Sequence, residues 1–236
     1  YREWFVNFCF PGHEGVRMVE SEMGLVPDGW EVKKIETLCA KISDGDWIET
    51  KDQSGMDFRL LQVSNIGVGS FIETRNYRYI SKETFDRLRC QEVLPGDILL
   101  SRMPTPTGRA WLVTKQQWKM ITAVDVAILK TDPSLSNVQF LINYLNSPSQ
   151  LDIVEKQTTG TTRPRITRSA LSNIKLIVPP LEIQNNFGNL VENMYYISEK
   201  MRTINTNLRR TRDLLLPKLI SGELDVSELD IEIPAV

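Results

Sequence analysis

Hydrophobic and polar residues follow two different periods along this chain, and the change between them falls at Pro179-Pro180. Before this point, short apolar runs alternate with Gly, Pro and Asn, which predicts short strands joined by turns. After it, apolar residues recur every three or four positions, which predicts one long helix. The pattern therefore predicts an α/β (α+β) globular domain followed by a long coiled-coil-type α-helix.

Two segments of the first part carry specific signals. Ser81 precedes a helix predicted at Lys82–Leu88, because its hydroxyl can accept hydrogen bonds from the free amides of a first helical turn. The run Ile121–Lys130 is apolar apart from Asp125 and a terminal Lys, which predicts a single strand buried on both faces.

The predicted helix carries a heptad seam with a 4-3-4-3-4-3-4 spacing over 26 residues. Its members are Ile183, Phe187, Leu190, Met194, Ile197, Met201, Ile204 and Leu208. The seam would be roughly 39 Å long at about 1.5 Å per residue. It could pack on its own domain or pair with a partner helix; the narrow stripe of two positions in seven favours pairing. Pro217 is expected to kink or stop the helix.

The formal net charge of −2 is an average over unlike segments. Leu99–Thr131 has five basic residues against one acid, and Lys156–Lys175 has five and no acid. Ser221–Val236 has five acids and no base, so its carboxylates would repel the phosphates of a nucleic acid. Basic segments rich in Thr, Gln and Asn suit phosphates and base edges of nucleic acid, while a solvated surface without a specific role remains an open alternative.

Candidate catalytic residues are few. The one histidine, His13, follows Pro11-Gly12 in a predicted linker. Zinc-type CxxC spacings and Gly-rich phosphate loops are absent from the sequence. Three widely spaced cysteines fit free thiols in a reducing cytoplasm, and no apolar run approaches the about 20 residues of a membrane span. We therefore expect a cytoplasmic, non-catalytic chain without a metal site.

Six short stretches stand in a fixed order along the chain: Gly29–Ile35, Leu94–Ser101, Thr122–Lys130, Thr159–Ile166, Ile177–Gln184 and Leu215–Leu224. In this order they resemble the specificity (S) subunit of type I restriction–modification systems. The resemblance implies the C-terminal half of a longer subunit. Residues 1–26 would be the end of a preceding helical repeat and a linker, 27–179 a target recognition domain, 180–220 a spacer and dimerisation helix, and 221–236 an acidic tail.

The same resemblance implies a division of labour. The recognition domain would read one half of a bipartite site on double-stranded DNA, and the helix would pair with the other half of the specificity subunit. Methyltransferase (M) subunits would dock on this chain and bind S-adenosylmethionine, so the chain itself would bind no cofactor. The restriction (R) subunit would join through the complex. Two other classes stay open: a coiled-coil scaffolding protein without DNA specificity, and an enzyme such as an adenine methyltransferase or a nuclease.

Two loops, together with a nearby lysine, are predicted to contact the DNA. Each loop contains Gly and Pro and offers Arg and Thr side chains, which suit guanine edges, phosphates and thymine methyl groups. The predicted contacts are Arg102, Thr105, Thr107, Arg109, Lys115, Thr161, Thr162, Arg163, Arg165 and Arg168. The alternative for the last three arginines is pairing with a carboxylate inside the domain.

Overall fold

The computed structural model describes residues 1–226, which divide into a unit of residues 1–191 and a second unit that begins at Glu192. The strands are β1 (Met18–Ser21), β2 (Gly24–Pro27), β3 (Glu31–Lys34), β4 (Cys39–Asp44), β5 (Phe58–Leu61), β6 (Tyr79–Ile80), β7 (Ile98–Ser101), β8 (Ala110–Leu112), β9 (Lys119–Thr122), β10 (Val126–Thr131) and β11 (Lys175–Val178). The helices are α1 (Arg2–Phe5), α2 (Lys82–Leu88), α3 (Val138–Leu145), α4 (Pro148–Lys156), α5 (Arg168–Ser172) and α6 (Leu181–Ile220). The predicted fold class, a mixed α/β domain followed by a long helix, is confirmed.

Two sheets form the centre of the first unit. Four antiparallel strands lie in the order β4-β10-β7-β8, and three lie in the order β6-β5-β9, with β5 and β9 parallel. One hydrophobic cluster joins the sheets, because it contains Leu61 of β5, Leu99 of β7, Trp111 of β8 and Ile128 of β10. The remaining strands form a β1–β2 hairpin and a β3–β11 pair.

The apolar run Ile121–Lys130 forms two strands, so the prediction of one strand is wrong. β9 ends at Thr122 and β10 begins at Val126, and the two strands belong to different sheets. The backbone N–H of Val126 donates to the Ala123 carbonyl at 2.9 Å, which closes a turn that contains Asp125. The run stays apolar because the strands on both sides of the turn are buried.

Helix α2 spans Lys82–Leu88, as predicted. Its N-cap is Ser81, whose hydroxyl accepts a hydrogen bond from the Thr84 N–H at 3.2 Å. A serine at this position satisfies one of the amide groups that a helix start leaves without an intrahelical acceptor.

Rings from both ends of the first unit's sequence pack together. Phe5 of α1 lies 4.9 Å from Phe187 of α6 and 5.0 Å from Phe140 of α3, measured between ring centroids. Trp4 also contacts Phe187, at 5.7 Å. Residues 1–5 therefore complete an aromatic core together with the first turns of α6.

The start of α6 is fixed by polar contacts as well. The buried Gln184 side chain accepts from the Ser136 hydroxyl at 3.1 Å and from the Asn137 N–H at 3.0 Å. Its own amide donates to the Pro179 carbonyl at 2.8 Å. A Cβ at Gly188 would lie 2.6 Å from the Asn137 side chain, so glycine is required for this close approach.

Helix α6 continues through Pro217 and ends at Ile220, so the proline does not stop the helix at its own position. Pro217 lies within the last turn, where the loss of one N–H donor affects a single intrahelical bond. The helix ends three residues later, and the Ser221 N–H still donates to the Pro217 carbonyl at 3.0 Å. None of the described helices is long and apolar enough to cross a membrane.

Candidate nucleic-acid interface

The two predicted loops lie side by side in the structure. The first, residues 102–109, joins β7 to β8, and the second, residues 158–168, runs from α4 to the first residue of α5. They contact each other directly, because the Ile166 N–H donates to the Arg102 carbonyl at 3.0 Å. The first loop also rests on α4, where the Thr107 N–H donates to a Glu155 carboxylate oxygen at 3.1 Å.

Arg109 lies inside the protein, with 6% of its surface exposed. Its guanidinium donates to four backbone carbonyls: Ile66 at 2.6 Å, Pro106 at 2.8 Å, Met103 at 2.9 Å and Val63 at 3.0 Å. Desolvation by burial lowers the pKa of this guanidinium. The geometry contradicts the prediction of a DNA contact, because all three Arg109 nitrogens donate to backbone carbonyls inside the protein.

Arg102 is equally buried, which contradicts its predicted DNA contact as well. One of its terminal nitrogens donates to the Val124 carbonyl at 2.8 Å. The same nitrogen lies 3.5 Å from an Asp44 carboxylate oxygen and 3.9 Å from one of Asp125. Arg102 therefore offsets the charge of two partly exposed carboxylates.

Thr107, also predicted as a contact, is fully buried. Its hydroxyl has no hydrogen-bond partner within residues 1–226. Thr105 and Lys115 are exposed, so the structure leaves both of them free to meet a ligand. The first loop therefore presents little of its predicted chemistry at the surface, since three of its four predicted residues face inward.

The second loop has the opposite character. Its backbone folds back on itself through two hydrogen bonds between Thr159 and Arg165, at 2.9 and 3.0 Å. Gly160 has a φ of +102°, and a Cβ there would lie 3.0 Å from the Arg163 carbonyl oxygen, so the tight tip requires glycine. This tip exposes Thr161, Thr162 and Arg163 together.

Two further arginines surround the buried Arg102. A terminal nitrogen of Arg165 lies 3.4 Å from Asp125, and one of Arg168 lies 3.3 Å from Asp44. Both side chains are just over half exposed, and each ion pair engages one nitrogen, which leaves other N–H donors directed to solvent. The alternative of carboxylate pairing thus applies to Arg165 and Arg168. Arg163 has no ion pair within the described part of the chain.

The seam residues of α6 divide into two groups. Phe187 is buried in the aromatic core of the first unit, which contradicts its assignment to helix pairing, and Ile183 is half-buried. The remaining members are exposed at 49–62% of their surface: Leu190, Met194, Ile197, Met201, Ile204 and Leu208. An exposed apolar row of this length on one helix is typical of a surface for another helix.

The acidic tail is described only as far as residue 226. Within that part Glu223 pairs with Lys218 of α6 at 2.8 Å. The carboxylates Glu228, Asp230 and Glu232 lie outside the described residues. In residues 1–226 no three His, Cys, Asp or Glu side chains group as possible metal ligands.

A further basic segment was not predicted from the sequence as part of the site. Residues 75–79 read Arg-Asn-Tyr-Arg-Tyr, and Asn76 and Tyr77 are exposed. Basic and aromatic residues alternate here, with an amide among them, a combination that favours nucleic-acid contacts. The signal was present in the sequence, but the segment adds only two charges and does not stand out in a count over longer windows.

A family model and known relatives match the same class of protein. Residues 27–210 match the type I restriction modification DNA specificity domain. Specificity subunits of the MjaIX and MjaVIII type I restriction enzymes of Methanocaldococcus jannaschii are 25% and 23% identical, over 97% and 89% of this chain. This chain spans about half the length of these relatives, 52% and 50%.

Solved structures show the same fold. The S subunit of a type I restriction–modification system from M. genitalium superposes with a TM-score of 0.57 at 17% identity, over 81% of this chain and 46% of that one. The HsdS subunit of Thermoanaerobacter tengcongensis gives 0.52 at 19% identity, over 94% and 49%.

A mixed α/β domain followed by a long helix is the fold that this chain shares with the solved S subunits. This chain belongs to the type I restriction modification DNA specificity family. The resemblance seen in the six sequence stretches is thereby confirmed. The scaffolding alternative finds no support in the comparisons.

Proposed function

We propose that this chain reads one half of a bipartite DNA target as part of the specificity subunit of a type I restriction–modification complex. The observation that carries the proposal is the loop tip that exposes Thr161, Thr162 and Arg163 beside Arg165 and Arg168, within a domain that matches the DNA specificity family. Arginine can grip guanine through two parallel hydrogen bonds, and threonine can bind a phosphate or touch a thymine methyl.

The chemistry would belong to the partners. Methyltransferase subunits would bind S-adenosylmethionine and modify the DNA, and the restriction subunit would join through the same assembly. This chain would then contribute target selection and geometry and no catalytic group. Such a complex would act in the cytoplasm, where its DNA target lies.

The helix would set the distance to the other half-site. An exposed seam from Leu190 to Leu208 spans 19 residues, or about 28 Å at about 1.5 Å per residue. Pairing with the helix of the other half would bury this row, and each aliphatic side chain so buried contributes about 1.5–3 kcal/mol. A rigid paired helix would hold two recognition domains at a fixed spacing on DNA.

The decisive experiment is selection from a random duplex library by the chain assembled with its methyltransferase partner. We expect enrichment of one split sequence. Variants of the 158–168 loop should change only one half of that sequence. Binding without any enriched sequence would contradict the proposal and favour a scaffolding protein without DNA specificity. Turnover by the purified chain alone would contradict its non-catalytic role.

The seam is tested separately by the double variant Met194→Asp/Ile197→Asp. We expect it to abolish association with the partner helix in sedimentation velocity while the first unit stays folded. Thr203→Asp/Thr206→Asp is the matched control, because both threonines are exposed and lie on the opposite face by helical spacing. Equal association of both variants would show that the seam does not pair.

A further inference from the structure

Trp47 is the most exposed aromatic side chain in the described part of the molecule, with 72% of its surface in solvent. Its backbone is nevertheless fixed. A Cβ at the neighbouring Gly45 would lie 2.2 Å from the Ala123 carbonyl oxygen, and the Asp46 N–H donates to the Thr122 carbonyl at 2.7 Å. The turn between β9 and β10 thus holds the indole out into solvent.

Beside this indole lies a shallow pocket that Trp47 lines together with Gln62, Arg78 and Val124. The Arg78 carbonyl accepts the Leu60 N–H at 2.9 Å, so this backbone is also fixed. The Arg78 guanidinium has no ion pair with any carboxylate of residues 1–226. An indole and an uncompensated guanidinium therefore share one surface.

This surface is continuous with the arginines of the candidate interface. Val124, which lines the pocket, accepts a hydrogen bond from Arg102 through its carbonyl, and the next residue, Asp125, pairs with Arg165. On the other side of Gly45, Asp44 pairs with Arg168. The segments 44–47 and 123–125 thus join the pocket to the arginine cluster.

The charges of the joined surface favour an anionic ligand. Arg165 and Arg168, with the buried Arg102, offset the carboxylates of Asp44 and Asp125. Asp46 lies in the pocket wall and accepts the Gln91 N–H at 3.1 Å. Arg78 and Arg163 then remain as cations without a paired carboxylate among the described residues, against Asp46 as a carboxylate without a paired cation there, so positive charge is in excess.

We propose that Trp47 and Arg78 form a second DNA contact, continuous with the 158–168 loop. The proposal rests on the proposed function, since it extends the surface that would read the half-site. The Arg78 guanidinium would neutralise a phosphate, and the Trp47 indole would pack on an adjacent sugar or base. Aromatic side chains make such contacts with every base because each base has an apolar face.

Replacing each of the two side chains should change the salt dependence of DNA binding in a different way. Trp47→Ala should weaken binding of the selected duplex by about 5- to 150-fold at every salt concentration, as for the loss of one aromatic–base contact. Arg78→Gln should weaken binding most at low salt and reduce the slope of log K against log salt by about 0.9, because one phosphate contact is lost. A structural role would not move that slope.

The measurement is fluorescence anisotropy of the duplex with the chain assembled with its methyltransferase partner, across a potassium chloride series. Met56→Ala and Arg2→Gln are the controls: Met56 is 78% exposed, and Arg2 is an exposed arginine without an ion pair among the described residues. As a direct test, duplex carrying 5-iodouracil should photo-crosslink to Trp47, identified by mass spectrometry, and Trp47→Ala should lose that crosslink.

Unchanged affinity and slope in both variants, with no crosslink at Trp47, would overturn this inference and leave the proposed function intact. Weaker assembly of Trp47→Ala with the methyltransferase subunits, with unchanged DNA affinity once assembled, would assign the surface to a protein partner and also overturn it. If the unaltered assembly binds no duplex, the proposed function fails and this inference fails with it.

Discussion

The loops 102–109 and 158–168 contain the same residue types but place them in opposite environments. In the first, Arg102 and Arg109 are 6% exposed and bind backbone carbonyls or carboxylates. In the second, Arg163 is exposed without an ion pair within residues 1–226, and Arg165 keeps more than half of its surface in solvent. The arginines of the first loop bind groups inside the protein, and that loop packs against the second loop. The second loop exposes its arginines to solvent.

This difference shows that arginine content alone does not locate a DNA contact. A buried guanidinium needs hydrogen-bond acceptors inside the protein, and carbonyl groups of tight loops are well placed to accept its N–H donors. An exposed guanidinium beside a tight Gly turn keeps its donors for a ligand. The comparison therefore predicts stability effects for one loop and DNA effects for the other.

The largest effect is expected for Arg109→Ala. The change removes one donor from each of four backbone carbonyls. The Met103 and Val63 carbonyls still accept from the Ser101 hydroxyl and the Ile66 N–H, so those of Ile66 and Pro106 are left without a donor, at a cost of about 1–3 kcal/mol each. Even after partial relaxation we expect a loss of at least about 3 kcal/mol in the free energy of unfolding, measured by urea denaturation. Arg165→Ala is the control and should change stability by less than about 1 kcal/mol. A stable Arg109→Ala protein that has lost DNA binding would reverse the roles of the two loops.

The second prediction concerns DNA. Arg163→Ala and Arg165→Ala should each weaken cognate binding by about 1–3 kcal/mol if the side chain reads a base. Such a loss should shrink on scrambled DNA, whereas loss of a phosphate contact should weaken all sequences alike. Arg17→Ala, which removes an exposed arginine paired with Asp28, is the matched control. Equal binding by all three variants across a salt series would rule out the second loop as a contact.

A third prediction uses pH. Desolvation by burial raises the pKa of the Asp46 carboxyl, against the smaller lowering effect of the Gln91 N–H. A carboxyl group whose pKa is higher in the folded than in the unfolded protein does not destabilise the fold below the unfolded pKa of about 3.9, where it is protonated in both states. As pH rises from there through the folded-state pKa, the free energy of unfolding falls. Asp46→Asn keeps an acceptor for Gln91 and should raise the melting temperature at pH 7, with the gain disappearing below about pH 4. A gain that is independent of pH would show that the charge is not its cause.

Much of the fold follows from the sequence because periodicity and caps are local. Ser81 and the residues after it predict α2 correctly, and the heptad spacing predicts the long helix. The split of Ile121–Lys130 into two strands is hard to predict, since the strands on both sides of the turn are apolar. Asp125, which lies in the turn, is the one residue within the run that indicates it.

The candidate site was harder to predict for a physical reason. Turn residues show that Arg102–Arg109 and Thr158–Arg168 form loops, but burial depends on what packs over them. Arg109 is buried because residues 63–66, some 40 positions away in sequence, supply carbonyls to it. Trp47 and Arg78 share a pocket through β5 and the β9–β10 turn, which only the folded chain brings together.

The smallest expected effects separate the loops through a pair of matched threonines. Thr107→Val replaces a buried hydroxyl that has no hydrogen-bond partner within residues 1–226, so it should be neutral or stabilise by up to about 1 kcal/mol and leave DNA binding unchanged. Thr161→Val replaces an exposed hydroxyl at the loop tip, so it should leave stability unchanged and weaken DNA binding by about 0.5–1.5 kcal/mol through one lost hydrogen bond. Urea denaturation and duplex titration of both variants give four values. We expect a change in the DNA affinity of Thr161→Val, and we expect any change caused by Thr107→Val to be confined to stability. If Thr107→Val weakened binding and Thr161→Val did not, the hydroxyl groups of the first loop would be the ones that reach DNA, and the assignment of the DNA contact to the second loop would be wrong.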